Sequence, residues 1–161
     1  MAVREALVSK ATDINRPLFA RVYERVAATA EQRGQTEHRR ELLCGLEGRV
    51  IEVGAGHGLN FAHYPATVSE VVAVEPEPHL RAKAELAARG AAVAVRVAPG
   101  VGDDLPFEAA TFDAGVASLM LCSVPDQATA LAELFRVIRP AGELPFYEHV
   151  RASSRPPSPN G

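Results

Sequence analysis

Three glycines and two carboxylates carry the first chemical signal in this sequence. Glycine stands at positions 54, 56 and 58, directly after the apolar, β-branched run Arg49-Val-Ile-Glu-Val53. A turn of this kind lets backbone come close to a ligand, because no Cβ stands in the way. The spacing is G-x-G-x-G. The dinucleotide fingerprint needs G-x-G-x-x-G, and Leu59 stands where its last glycine would fall. Glu52 sits inside the run, and a bare buried carboxylate is costly. It must find donors: turn N–H groups, the amino group of a bound ligand, or partners in a purely structural role. Glu75 ends a second run, Glu70-Val-Val-Ala-Val-Glu75, and is followed by Pro76. A carboxylate at that place can accept both hydroxyls of a ribose. The alternative is a solvated strand-end charge, and the position, spacing and following proline favour the ribose.

The elements that must hold these groups read as alternating strands and helices. The glycine turn follows a first buried strand, Arg49 to Val53. A short helix, Leu59 to Tyr64, then stops at Pro65, with its first N–H groups aimed at an anionic ligand group. The second strand ends at Glu75. A helix over Pro76 to Gly90 turns Leu80, Ala84 and Leu86 inward, with Gly90 as its cap. Ala92 to Val97 is a third strand and Pro99 to Phe107 a loop. Phe112 to Leu121 is a fourth strand, nearly uncharged after Asp113 and therefore central. Asp126 caps a helix through Val137, Arg139-Pro-Ala-Gly142 ends it, and Glu143 to Val150 is a fifth strand. Strand and helix alternating with connections this short predict an α/β, doubly wound, Rossmann-like parallel sheet. In such sheets the ligand lies at the carboxyl ends of the strands, where the glycine turn and Glu75 both fall.

Before the sheet, Leu18, Val22, Val26 and Ala30 recur at helical spacing from Pro17 to near Gly34. A second helix, about Thr36 to Leu43, places His38, Arg39, Arg40 and Glu41 on its polar side. Residues 1-16 read as a flexible N-terminus and 17-151 as one domain, with 17-44 a helical cap on the sheet. The Pro/Ser-rich stretch 152-161 reads as a disordered tail. The chain of 161 residues has 47% apolar and 23% charged residues, ordinary for a globular protein. A net charge of −3 and a pI near 6.0 give no electrostatic footprint for nucleic acid. No apolar run reaches the ~18 residues of a membrane span. Cys44 and Cys122 form no framework, so a reducing cytoplasm is the expected compartment. Five scattered histidines show no metal-ligand spacing. Cys122 and His149 fall near strand ends, as candidate nucleophile contact or base or as ordinary rim residues.

The string E-x-G-x-G-x-G at Glu52 to Gly58 resembles motif I of class I S-adenosylmethionine-dependent methyltransferases, and V-V-A-V-E-P at 71–76 resembles motif II. D-D-L-P-F and A-T-F-D resemble the loop and fourth-strand entry of the ubiquinone/menaquinone-type enzymes. L-x-E-L-F-R-V-I-R-P-A-G is similar to the segment before their fifth strand. L-C-S-V and F-Y-E-H-V look most like the branch of methyltransferase-like thiol S-methyltransferases. The similarity covers about residues 36 to 151. It implies S-adenosyl-L-methionine as cofactor and methyl transfer to a small-molecule acceptor whose reacting atom is open. Glu52 with the backbone of Gly54, Ala55, Gly56 and Gly58 would hold the methionine part. Glu75 would bind the ribose, and Pro76 with Val101, Gly102 and Asp103 would wall the adenine. Ser118 and Leu119 would lie beside the sulfonium.

The sequence departs from that pattern at Val101, where relatives often carry an acid. Ala141 replaces the second glycine of the R-P-G-G turn, which costs strain if φ there is positive. Pro145 falls inside the fifth strand, where it cannot donate to the ladder. The resemblance implies five strands here, without the family's usual last two. The fifth strand should therefore be an exposed edge that self-associates or takes a partner strand, with methyl transfer weak or absent. Two further readings compete: a catalytically weak remnant that binds cofactor or a partner, and a nicotinamide oxidoreductase, which the glycine spacing disfavours.

Overall fold

The structure is a computed structural model that describes residues 36–148. The amphipathic helix expected from Pro17 to Gly34, the tail, and His149 lie outside the described residues. Helix α1 (Thr36–Leu43) leads into strand β1 (Gly48–Val53), and a 3-10 turn at Phe61–His63 follows the glycine turn. The chain continues through β2 (Val68–Val74), α2 (Pro78–Ala88), β3 (Val95–Ala98), β4 (Phe112–Ser118), α3 (Gln127–Val137), β5 (Ile138–Glu143) and β6 (Phe146–Tyr147). The strand order is β3-β2-β1-β4-β5, with β6 also on β4, and every pairing is parallel. This is the doubly wound α/β sheet expected from the alternation of strands and helices, with β4 internal.

The inner stretches of β1, β2 and β4 are buried and mostly apolar because both faces are covered, whereas β5 is exposed beyond Ile138. Val50, Val71, Ala73 and Val116 pack on one face with Leu43, Phe61, Tyr64 and Ala84. Ile51, Val53, Val72, Val74 and Ala117 pack on the other with Leu105, Leu134 and Val137. Successive residues of β1 and β2 alternate between the two faces, as the period of two requires. No helix among the described residues is long and apolar enough to cross a membrane.

Several local expectations need correction. The predicted fifth strand is two segments. β5 begins at Ile138, immediately after α3, and β6 is a two-residue strand beyond Leu144-Pro145. Between the pairs Phe112↔Ile138 and Ala114↔Glu143 the register shifts, because Arg139-Pro140-Ala141-Gly142 loops out. Ala141 takes φ +67, which is the condition under which alanine at this place costs strain. Pro145 donates nothing, but its carbonyl accepts from the Ala117 N–H at 3.3 Å, so the sheet tolerates it at the break. β4 ends at Ser118 rather than Leu121, because Leu119 turns to φ +54. The helix expected over 59–64 is only the 3-10 turn, too short to offer an N-terminal anion site. Leu86 is 59% exposed rather than inward.

Candidate active site

A cleft of about 310 Å³ opens at the carboxyl ends of β1, β2 and β4. Four segments wall it: the glycine turn after β1, residues 75–77 after β2 with Leu80 of α2, residues 101–103 after β3, and the loop after β4 from Leu119 to Pro125. The glycine turn is tied to β2, since the Gly54 and Ala55 N–H groups both donate to the Val74 carbonyl, at 2.8 and 3.2 Å. Gly54 has φ +73, and a Cβ there would come within 2.5 Å of Met120 Cβ. Its glycine is required twice, by backbone and by contact. The loop after β3 is pinned to α3. Glu133 accepts from the Leu105 N–H at 2.8 Å, and Arg136 donates to the Leu105 and Phe107 carbonyls. The Arg136 hydrogen bond holds the Glu133 carboxyl below its usual range.

Glu75 sits just past β2, 5% exposed. Its Oε2 accepts from the Gly56 N–H at 2.8 Å and its Oε1 from the Glu77 N–H at 2.9 Å. Burial pushes the carboxyl up to about 7, with those two N–H groups opposing. Each oxygen has one donor and therefore a second lone pair for a ligand donor. Glu77 is buried beside it. Its Oε2 caps α2 at the Leu80 N–H, while its Oε1 is buried without a hydrogen-bond partner among the described residues. Glu77 lines the cleft, and nothing in the motif reading singled it out. Pro78 at the first turn of α2 was the available signal, because proline favours that position and places the cap one residue earlier.

Glu52 finds partners other than those expected. Asn60 Nδ2 donates to its Oε1 at 2.9 Å and the Tyr64 hydroxyl to its Oε2 at 2.7 Å. Arg39 Nη1 donates to Asn60 Oδ1 at 2.7 Å, so Arg39 is buried in this network rather than on the polar face of α1. Burial pushes Glu52 up to about 7, against the pull of Tyr64, Asn60 and the Arg39 charge. Burial and the Glu52 carboxylate push the Tyr64 phenol well above its ordinary value. The turn N–H groups are not the donors to Glu52. A smaller cavity here is lined by Glu52, Ala55, Asn60 and Ser118, and it shares Gly54 and Leu119 with the cleft. The Ser118 hydroxyl is buried with no hydrogen-bond partner among the described residues.

Of the residues singled out from the sequence, Gly54, Gly56, Glu75, Pro76, Val101, Gly102, Asp103 and Leu119 line the cleft. Glu52, Ala55 and Ser118 line the adjoining cavity. Gly58 lines neither. It has φ +84, and a Cβ there would meet the Phe61 ring at 2.7 Å, so it shapes the turn against the core. Cys122 lies on the cleft wall, exposed. Met120 falls inside the expected fourth strand, next to its end; it lies instead in the loop after β4, 5% exposed, and packs between the glycine turn and Gly102. The unpartnered oxygens of Glu77 and Ser118, with the spare acceptors of Glu75, fit a ligand that brings hydroxyl and amino donors.

A family model described as a methyltransferase domain matches residues 51–146. Thiol S-methyltransferase TMT1B of Homo sapiens is 35% identical over 113 residues, covering 67% of this chain and 46% of that protein. Human thiol S-methyltransferase TMT1A is 34% identical over 125 residues, with 71% and 51% covered. The chain thus spans about half the length of the curated relatives it matches. A solved SAM-dependent methyltransferase from Thermotoga maritima superposes with a TM-score of 0.62 at 29% identity, over 78% of this chain and 57% of that one. The matched span runs from the strand that carries Glu52, through the glycine turn and Glu75, to the segment paired with β4, and on that ground the chain belongs to the methyltransferase-domain family.

Proposed function

We propose that the chain binds S-adenosylmethionine in the cleft and transfers its methyl group to a small-molecule nucleophile. The observation that carries this reading is Glu75. It is a buried carboxylate fixed by the Gly56 and Glu77 N–H groups, with an acceptor left on each oxygen at the floor of an otherwise largely apolar cleft. In this reading Glu75 accepts from the ribose hydroxyls, and Pro76, Val101, Gly102 and Asp103 wall the adenine. Gly54, Ala55 and Gly56 follow the methionine part, and Ser118 and Leu119 lie beside the sulfonium. Glu52 acts through Asn60 and Tyr64 as the brace under the turn, and Gly58 keeps the turn closed. The cofactor supplies an electrophilic methyl group. The protein's part is to orient it and keep water out.

The first acceptor class to test is a small thiol, because two of the matched relatives are thiol S-methyltransferases. The acidic net charge favours such an acceptor over nucleic acid. The exposed, unbridged Cys44 and Cys122 suit a reducing cytoplasm. Calorimetry with S-adenosylhomocysteine and with NAD tests the cofactor, and mass spectrometry of a thiol incubated with S-adenosylmethionine tests the transfer. Binding of S-adenosylhomocysteine and a methylated thiol are expected. Binding of NAD alone would overturn the reading.

A further inference from the structure

We infer that Glu148 is a positioning residue for the cofactor cleft: its carboxylate holds the loop after β4 in the shape that forms one wall. The inference rests on the cleft being the cofactor site. Glu148 follows β6, and its Oε1 accepts two backbone donors, the Met120 N–H at 2.8 Å and the Leu121 N–H at 3.0 Å. One residue earlier the Tyr147 carbonyl accepts from the Leu119 N–H at 2.7 Å. Three consecutive N–H groups of the loop are thus held by two consecutive residues, the last of β6 and the one that follows it.

The loop needs holding. Leu119 lies at φ +54, a left-handed conformation that costs an L-residue with a side chain. Without external acceptors the chain would relax toward extended backbone, and the Met120 and Leu121 N–H groups would need other partners. The consequence reaches the cleft through Met120. Its Cβ lies against Gly54 and its Cε against Gly102, so this one side chain sets the spacing between the glycine turn and the loop after β3. Leu119, Met120, Cys122, Ser123, Val124 and Pro125 form the wall that hangs from this anchor. A carboxylate at 148 therefore controls a cleft that it does not line.

The test uses the full chain with Glu148→Met, which keeps length but removes both acceptors, and Glu148→Gln, which keeps an oxygen that can accept both N–H groups. Amide exchange and S-adenosylhomocysteine affinity are measured well below the melting temperature. In Glu148→Met, exchange at Met120 and Leu121 should speed up about tenfold or more and affinity should fall about tenfold. Exchange in β1, β2 and β3 should stay as in the wild type. Glu148→Gln should remain within about threefold of wild type in both measures, because the neutral acceptor still serves both amides. Unchanged affinity in Glu148→Met, or faster exchange spread evenly over the sheet, overturns the inference. If Glu148→Met does not fold, the wild-type chain carries the test: saturating S-adenosylhomocysteine must slow exchange at Met120 and Leu121, and no slowing overturns it. Failure of the wild-type chain to bind S-adenosylhomocysteine would instead count against the cofactor assignment, while the exchange comparison would still decide whether Glu148 holds the loop.

Discussion

The two halves of the sheet are built on different terms. From β1 through β2 to β3 the ladders run nearly without interruption, with one shift at Gly48/Arg49, and the inner residues of β1 and β2 are buried on both faces. From β4 outward the pairing breaks. β5 loops out of register at Arg139–Gly142, a proline separates β5 from β6, and Leu119 and Ala141 sit at positive φ without being glycine. In the regular half, positive φ beside the cleft falls on glycines 54, 56 and 58, so conformation and residue type agree. In the irregular half, side chains and motif charges do the holding: Glu148 on the loop after β4, Glu133 and Arg136 on the loop after β3, Asp113 with Arg139 and the Arg49 N–H. One wall of the cleft is shaped by backbone preference, and the other is imposed by hydrogen bonds.

The most damaging change lies in the regular half. Gly54→Val would force a β-branched residue to φ +73 and drive its Cβ into Met120. We expect a loss of about 3 kcal/mol or more, from strain and overlap together, seen as a lowered denaturant midpoint. Gly45→Ala offers the contrast. Gly45 has φ +83 but open space around its Cβ, so only the backbone term of about 1–2 kcal/mol should appear. Equal losses in the two variants would mean that the contact with Met120 contributes nothing.

The next effect separates binding from folding. If Glu75 binds the ribose as proposed, Glu75→Ala removes an acceptor for two ligand hydroxyls, each worth about 1.5–3 kcal/mol when the acceptor is charged. S-adenosylhomocysteine affinity should fall more than about 100-fold, measured by calorimetry. Unchanged affinity would refute the ribose assignment and leave Glu75 as a brace for Gly56 and Glu77 alone.

A third effect is pH-dependent and belongs to the same half. Burial raises both Glu52 and Glu75 from the ordinary 4.5 to about 7 in the folded chain. An unfolded chain gives up these protons at lower pH than the folded one. Their stabilising contribution is therefore complete below about pH 4.5 and is lost as pH rises through about 7. From pH 5.5 to 8 the ligand-free chain should lose about 2 kcal/mol for each group. Glu52→Gln, which mimics the protonated carboxyl toward Asn60 and Tyr64, should remove its share of that slope in urea titrations at the two pH values. A stability that rises across this range would contradict the burial of both groups.

The same contrast explains what was legible in the sequence. β-Branched runs, glycine spacing and Glu75 report on the regular half because each obeys a local rule. Asn60 and Tyr64 as partners of Glu52 were not legible, since that pairing depends on how the 3-10 turn folds back over β1. Nor was the role of Met120, which read as one more apolar residue of a strand until the positive φ of Leu119 ended that strand early. The L-x-E-L-F-R-V-I-R-P-A-G motif was visible as a pattern. Its physical reason, that Glu133, Arg136 and Arg139 reach the loop after β3 and the start of β4, needs three dimensions.

The smallest effect tests whether the irregular half stores strain that nothing requires. Ala141 holds φ +67 in the turn that loops out between α3 and the rest of β5. A left-handed conformation costs an alanine about 1–2 kcal/mol, and glycine adopts it freely. Glycine also gains freedom in the unfolded chain, which offsets about 0.4–1 kcal/mol of the relief. Ala141→Gly should therefore stabilise the chain by about 0.5–1 kcal/mol, a rise in Tm of about 2–3 °C. Ala141 lines a separate groove with Gly45, Asp113 and Arg139, at the opposite end of the sheet from the cleft, so S-adenosylhomocysteine affinity should not move. Leu119 shares the backbone conformation but not the prediction, because its side chain is part of the cleft wall and removing it would cost binding. If Ala141→Gly left Tm unchanged or lowered it, the strain at the turn would be compensated locally, and the difference between the two halves would be one of pairing alone.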